Sequence, residues 1–355
     1  MLADRSVKGF SVPEREPDCD PGGACGMKKL QRSRGAEEQG RRGAEGKMRD
    51  ICVIGGINMD LVVQVPHIPR PGETVHGGAM TRFPGGKGSN QAVAAGRLGA
   101  SVAMVGQVGA DAFGDELLGA LGAAGVETTG VRRVSAATGV ALISVAADGQ
   151  NAIVVAPGAN LAWEEAAVAE AERAVAGCRL LVLNLEAPPP LIARAVRAAK
   201  RAGARVILNP APHRSGDEAC FGDVDLFVPN QVEAALFAGA DPEAVTDWGE
   251  IGRRLRRLGP RTIVLTLGGE GSLIVDQDGA YLVPSFPVSA VDTTAAGDAF
   301  VGGLAAALIE GLGLREAVRF ANGCGAMAVT RAGAQPSLPS RAEVERLIAR
   351  RAGGE

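Results

Sequence analysis

Aromatic side chains are scarce in this sequence: nine Phe, two Trp and one Tyr make up 3% of its 355 residues. A core poor in rings has to be built from Ala, Val and Leu, and the 50 glycines imply many tight turns and close backbone approaches. Histidine is scarcer still, with only His67, His76 and His213, which excludes chemistry that depends on a histidine cluster. The six cysteines (Cys19, Cys25, Cys52, Cys178, Cys220 and Cys324) show no CxxC spacing. Neither a disulfide framework nor a zinc site is therefore expected; reduced thiols in a cytoplasmic protein are. No apolar run approaches the roughly 18 to 20 residues that cross a bilayer, so no membrane partner is expected. With 37 basic against 40 acidic residues the net charge is −3, which gives no electrostatic reason for a nucleic-acid partner.

Hydrophobic residues at 46% and charged residues at 22% read as a soluble globular protein, long enough for one large α/β domain or two ordinary ones. Residues 1–48 stand apart, mixing Arg, Lys, Glu, Asp, Gly and Pro with few large apolar side chains. Such a segment buries too little apolar surface to offset its ordering entropy and is expected to be a disordered extension, with a basic docking tail as the alternative. From Arg49 the pattern changes. Asp50 to Ile54, Leu61 to Val65, Leu180 to Leu185, Val206 to Leu208, Leu226 to Val228 and Ile263 to Leu267 are short β-rich runs. Helix-like segments rich in Ala, Arg, Glu and Leu separate most of them, which predicts a mostly parallel sheet covered on both faces. Ligands of such sheets bind at the carboxyl ends of the strands. Residues from about 60 to 84 and from about 138 to 156 look like strands without helices between them, and predict a small separate sheet, a lid.

The strongest local signal is Val291-Asp292-Thr293-Thr294-Ala295-Ala296-Gly297-Asp298-Ala299-Phe300, followed by a small-residue helix. Small residues before a helix expose successive N–H groups to an anion, and the helix dipole adds to them. Asp298, just beyond that nest, is placed to take a proton from a hydroxyl attacking a phosphoryl group. Alternatively it is a simple N-terminal helix residue favoured by the dipole. Gly85-Gly86-Lys87-Gly88-Ser89-Asn90 is not a Walker A loop, because Gly88 follows Lys87 and position 81 is Thr. It allows close approach to a small polar ligand, or is an ordinary tight turn. Asn58-Met59-Asp60 places an amide and a carboxylate at a strand's carboxyl end, fit to bind vicinal hydroxyls or to stabilise a turn. Asn230 and Glu233 either cap a helix or hold water-coordinated Mg²⁺. Thr266-Leu267-Gly268-Gly269-Glu270-Gly271 ends another strand and suits a backbone turn against a nucleotide.

Together these strings resemble the PfkB family of sugar kinases from about Ile51 to Pro339. The resemblance rests on Gly-Gly-Lys-Gly-x-Asn with Gln91 to Arg97 after it, Asn209-Pro210-Ala211-Pro212, Asn-x-x-Glu, Asp-Thr-x-Ala-Ala-Gly-Asp, and Val329-Thr330-Arg331-x-Gly333-Ala334-Gln335-Pro336-Ser337. It implies a ribokinase-like three-layer α/β/α fold over 49–355, with a lid sheet that pairs with a second subunit in a homodimer. The implied reaction is MgATP plus D-ribose giving D-ribose 5-phosphate and ADP. By the same resemblance Asp298 is the base and the amides of Ala295, Ala296 and Gly297 form the anion hole. Asn58, Met59, Asp60, Gly86, Lys87, Gly88, Ser89, Asn90 and Glu186 then form the sugar site. Asn209, Thr266, Leu267, Gly268, Glu270, Gly271 and Asn322 line the nucleotide site, with Gly269 in the same turn and Glu233 near Mg²⁺. A monovalent cation, K⁺, is implied beside the anion hole, at Asp292, Thr294, Ala328, Arg331, Gly333 and Ser337.

Three positions depart from the family pattern: Asn322 where bacterial relatives commonly have His, Ser89 for Ala, and Ala295 where many relatives have Gly. Another member's substrate (deoxyribose, fructose or a nucleoside) is the main alternative, although a nucleoside base would want an aromatic shelf. A non-catalytic sugar-binding regulator would be expected to have lost Asp298. A nicotinamide dehydrogenase is excluded by the lack of GxGxxG after the first strand.

Overall fold

Short apolar runs that end in glycine or asparagine become the strands of one large sheet, because such runs bury both faces and stop where the backbone must turn. The computed structural model describes residues 49–214 and 218–352; the expected extension over 1–48 lies outside the described residues. The elements begin with β1 (Ile51–Ile54), β2 (Asn58–Val65), β3 (Thr81–Gly85), α1 (Lys87–Arg97), β4 (Val102–Gly109), α2 (Ala112–Ala123), β5 (Glu127–Val134), β6 (Gly139–Ala146) and β7 (Asn151–Ala156). They continue with α3 (Glu165–Val175), β8 (Leu180–Asn184), α4 (Pro189–Arg201), β9 (Arg205–Asn209), β10 (Leu226–Phe227), α5 (Gln231–Phe237), α6 (Trp248–Arg257), β11 (Thr262–Thr266), β12 (Gly271–Val275) and β13 (Ala280–Pro284). Three helices, α7 (Ala296–Ile309), α8 (Leu314–Ala328) and α9 (Arg341–Ala352), follow.

Nine strands form the main sheet in the order β13-β12-β11-β10-β9-β8-β1-β4-β5, and β12 runs against the others, antiparallel to both β11 and β13. Alternate residues of β1 feed two cores. Ile51 and Val53 pack with α1, α2, α7 and α8, whereas Cys52 and Ile54 pack with α3, α4, α5 and α6. This is the expected three-layer α/β/α arrangement, and the chains of parallel strands all deliver their carboxyl ends to one edge.

The second sheet has the order β3-β2-β6-β7. Its strands are tied to the main body at their starts. Asp111, the N-cap of α2, accepts from the Thr138 N–H at 2.8 Å and the Thr138 hydroxyl at 2.6 Å, just before β6. Asn58 to Asp60 do not end the first strand; they open β2, since only Gly55 to Ile57 separate the two strands. Strand alternation then turns Asn58 and Asp60 to one face and Met59 to the other.

Candidate active site

The left-handed turn at Ala295 (φ 58°, ψ 9°) starts α7, and it is the only positive φ outside glycine among the described residues. The turn makes Asp298 the third helical residue. The amides of Gly297 and Asp298 are left without intrahelical acceptors, whereas the Ala296 N–H reaches the Thr293 carbonyl at 3.3 Å. Asp298 is buried, 6% exposed, yet it lines a cavity of about 190 Å³ together with Lys87, Asn209, Glu233, Thr266, Ala295 and Gly297. Its Oδ2 accepts from Asn90 Nδ2 and its Oδ1 from Gln91 Nε2, both at 3.0 Å. Asn209 and Asn184 hold the Gln91 amide in turn, at 3.1 and 3.4 Å. The carboxylate is therefore aimed by a chain of amides rather than by an Arg clamp.

Four carboxylates share one lysine here. Burial pushes the Asp298 carboxyl up, against the pull of the Lys87 charge and the Asn90 and Gln91 donors. Burial likewise raises Glu186, which accepts the Lys87 N–H at 2.8 Å, and raises Glu233. Asp60 is pushed up to about 7 by burial and by the charges of Glu186 and Asp298, with Lys87 opposing. Burial works against the Lys87 ammonium, but Asp298, Glu186, Glu233 and Asp60 together raise its pKa above the ordinary value. A single cation among four acids cannot neutralise them, so the pocket favours ligands that donate hydrogen bonds. One atom is open to such a donor: Asn90 Oδ1 is buried beside Asp298 with no partner among the described residues.

A second cavity of about 480 Å³ shares Asn230, Thr266, Thr293 and Gly297 with the first. Gly268, Gly269 and Gly271 form one wall, Phe286, Pro287 and Val288 another, and Ala296, Asn322 and Gly325 a third. Its lining is mostly apolar.

Several expected ligands have other duties. Met59 is fully buried in the core. Ser89 is fully buried too, its hydroxyl turned onto the carbonyls of Gly85 and Gly86. Gly88 packs against Gly55, where a Cβ would come within 2.6 Å of the backbone. Gly86 adopts φ 88° as the N-cap of α1, and a Cβ there would meet the Asn58 nitrogen. Leu267 is a core residue and Glu270 points to solvent, because the turn presents its glycines to the cavity. Asn209 lines the smaller cavity, not the larger one. Asn322 lines the larger cavity, but its Nδ2 donates to the Val283 and Pro284 carbonyls and its Oδ1 accepts from Ser272, so its amide is already spent.

Asp292 and the loop after α8 form an oxygen-rich turn. Asp292 accepts from the Thr294 N–H and hydroxyl at 2.9 and 2.6 Å and from the Gly333 N–H at 2.8 Å. Burial works to raise its carboxyl, but these donors hold it below its ordinary value and so ionised. The Arg331 guanidinium turns away to Glu343, and the Ser337 hydroxyl donates to the Ala334 carbonyl at 2.8 Å. Ala328 contributes its carbonyl, which accepts the Arg331 N–H at 3.3 Å. The cationic Arg331 side chain is thus no cation ligand, whereas the Ser337 hydroxyl oxygen, the backbone oxygens and Asp292 remain. Glu233 completes a capping box, its Oε2 accepting the Asn230 N–H at 2.9 Å while Asn230 Oδ1 accepts the Glu233 N–H. Cap and cavity wall are here the same residue, and the second carboxylate oxygen makes no hydrogen bond to a described residue.

Gln91, Asn184 and Asn160 are not among the site residues expected from the sequence. Gln91 directly follows Asn90 on α1 and was legible as a neighbour of a site residue. Asn184 and Asn160 had no motif around them.

The site so built, a buried carboxylate at a helix N-terminus between a hydroxyl-accepting pocket and a larger cavity, is that of a phosphotransferase acting on a polyol. The chain belongs to the pfkB family of carbohydrate kinases, whose model matches residues 48–341. Among its relatives, a ribokinase from Haemophilus influenzae is 38% identical over 299 residues, 83% of this chain and 97% of the relative. A deoxyribokinase from Salmonella typhimurium is 36% identical over 293 residues, 82% of this chain and 96% of that one. Arabidopsis thaliana ribokinase, solved with ribose and ATP, superposes with a TM-score of 0.79 at 31% identity, covering 85% of this chain and 99% of its own.

Proposed function

We propose that the protein transfers the γ-phosphoryl group of ATP to O5 of D-ribose, giving D-ribose 5-phosphate and ADP. The observation that carries this reading is the buried Asp298 at the start of α7, joined through Gly297 to the larger cavity. The triphosphate enters the smaller cavity from the larger one, with its anionic end on the Gly297 and Asp298 amides and the adenosine along Gly268 to Gly271. Asn58, Asp60, Glu186 and Asn90 hold the sugar hydroxyls. Asp298 takes the proton of the 5-hydroxyl as its oxygen attacks the γ-phosphorus, and the bond to the bridging oxygen of ADP breaks. The raised pKa of Asp298 suits a group that must accept a proton. Lys87 and the amides neutralise charge on the transferred group.

Glu233 would hold Mg²⁺ through water; its free oxygen in the cavity wall suits a hard cation that keeps most of its hydration. Bound Mg²⁺ supplies charge neutralisation at the phosphates. Asp292 and the carbonyls of the 328–337 loop would hold K⁺, an oxygen-only set that suits a weakly hydrated ion. Exposed residues on β7, among them Ile153, Val154 and Val155, would pair with a second subunit in a homodimer. The protein would work in the cytoplasm, where ATP is supplied.

ADP release measured with a panel of pentoses, hexoses and nucleosides, with K⁺ or Na⁺, tests this. Ribose is expected to give the highest kcat/KM, and K⁺ the higher rate. Asp298→Asn should lower kcat by about 10²- to 10⁴-fold, the usual contribution of a general base. Turnover of a nucleoside but not of ribose would overturn the substrate, and full activity of Asp298→Asn would overturn the mechanism.

A further inference from the structure

Asn160 lies in the 3₁₀ turn Gly158–Leu161 that follows β7, 3% exposed and 102 residues away in sequence from the amide it touches. Its Oδ1 accepts the Ile57 N–H at 2.9 Å, and its Nδ2 donates to the Ile57 carbonyl at 3.2 Å. A backbone N–H can only donate and a carbonyl can only accept, so these two bonds leave the Asn160 amide a single orientation. The same Nδ2 donates to Asn58 Oδ1 at 2.7 Å. Asn58 must therefore turn its oxygen toward Asn160, which leaves its Nδ2 as the end with no acceptor among the described residues. Gly139 keeps this contact open, since a Cβ there would sit 2.2 Å from Asn58 Oδ1 and 2.4 Å from Asn160 Nδ2.

Asn58 and Asp60 lie two residues apart on one strand and so share a face. An ionised Asp60 can only accept, and a sugar hydroxyl has one proton to give. A hydroxyl that donates to Asp60 must accept from its other neighbour, which requires a donor at Asn58. We propose that Asn160 is the positioning residue that presents the Asn58 amide donor to the sugar, and that this contact sets the preference for a 2-hydroxylated over a 2-deoxy pentose. The inference rests on the sugar site proposed above. A 2-deoxy sugar would bury the Asn58 donor unpaired, a loss on the order of 5- to 150-fold in affinity.

Steady-state kinetics with D-ribose and 2-deoxy-D-ribose test it on the intact protein, with Asn160→Asp, Asn160→Ser, Asn58→Ala and the double change Asn58→Ala/Asn160→Ser. Asn160→Asp replaces the donor facing Asn58 with an acceptor and reverses the Asn58 amide; Asn160→Ser frees it. Both are expected to raise KM for ribose by about ten-fold or more, to keep kcat within about two-fold, and to leave KM for 2-deoxyribose unchanged. In the double change, Asn160→Ser should add nothing further for ribose. Should Asn160→Asp fail to fold, Asn160→Ser carries the test, and the thermal shift each sugar induces gives binding independently of turnover. If Asn58→Ala leaves the ribose KM unchanged, the sugar-site reading itself falls. If Asn58→Ala raises it while the Asn160 changes keep the parent's ribose preference, or weaken both sugars equally, the positioning role falls and the site reading survives.

Discussion

Asp60 shows what a single buried acid does in this pocket. Its carboxyl is pushed up to about 7, from an ordinary 3.8, first by burial and then by Glu186 and Asp298. The folded protein therefore holds this proton more tightly than the unfolded chain does. The resulting stabilisation is complete below about pH 4 and is lost as pH rises through about 7. Asp60→Asn should change unfolding free energy little near pH 4 and raise it above pH 7 by up to about 4 kcal/mol, at about 1.4 kcal/mol per pH unit. Urea titrations at a series of pH values read this directly. In the sugar site proposed above Asp60 binds as the ionised form, so kcat/KM for the sugar should climb toward pH 7 and level off above it. Loss of that climb in Asp60→Asn would agree with the assignment; an unaltered climb would assign it to another group.

At the scale of the element, the start of α7 carries the most constraint. Ala295 holds a left-handed conformation that costs an L-residue on the order of 1 to 2 kcal/mol. Ala295→Gly is expected to relieve it and leave melting temperature equal or a few degrees higher with activity kept. Ala295→Val, branched where the turn is left-handed, should lose about 2 kcal/mol or more and lower kcat, because the amides of Gly297 and Asp298 depend on that turn. Calorimetry and turnover on the two variants check this. Equal behaviour of Gly and Val at 295 would show that the turn does not govern the amides. This helix start was legible in the sequence, since small residues before an acid at a helix entrance are a local pattern. The left-handed turn itself was not, for Ala rarely takes it and only the surrounding packing holds it there.

The whole molecule decides what the second sheet does. Ala141 pairs with both Asp60 and Val155, so Asp60 and Val155 lie on one face of that sheet, and the Val62–Ile143–Ile153 row continues it. Ile153 and Val155 are 54% and 49% exposed. An apolar edge strand of this kind invites another strand or sheet. Ile153→Asp with Val155→Asp is expected to convert a homodimer to monomer in sedimentation velocity. Because the altered face is continuous with Asp60, the KM for sugar should rise as well. A parent protein that sediments as a monomer would remove the dimer from the proposal without touching the active site.

Local chemistry in the sequence determined the layered fold, the helix entrance at Asp298, the Asn230–Glu233 cap and the glycine turn at 268–271. Each depends on a few consecutive residues, through strand alternation, helix dipole or capping, and such signals survive without the rest of the chain. Tertiary structure alone decided which residues of those strings face the cavity. Met59 and Ser89 belong to the motifs but point into the core, and Asn322 spends its amide on β13. Only the fold brings Gln91, Asn184 and Asn209 into one chain of amides behind Asp298, or carries Asn160 to Asn58. Those contacts join residues up to about two hundred positions apart, for instance Gln91 and Asp298. Hydrogen bonds between elements are set by how the strands and helices pack, and no spacing along the chain encodes that.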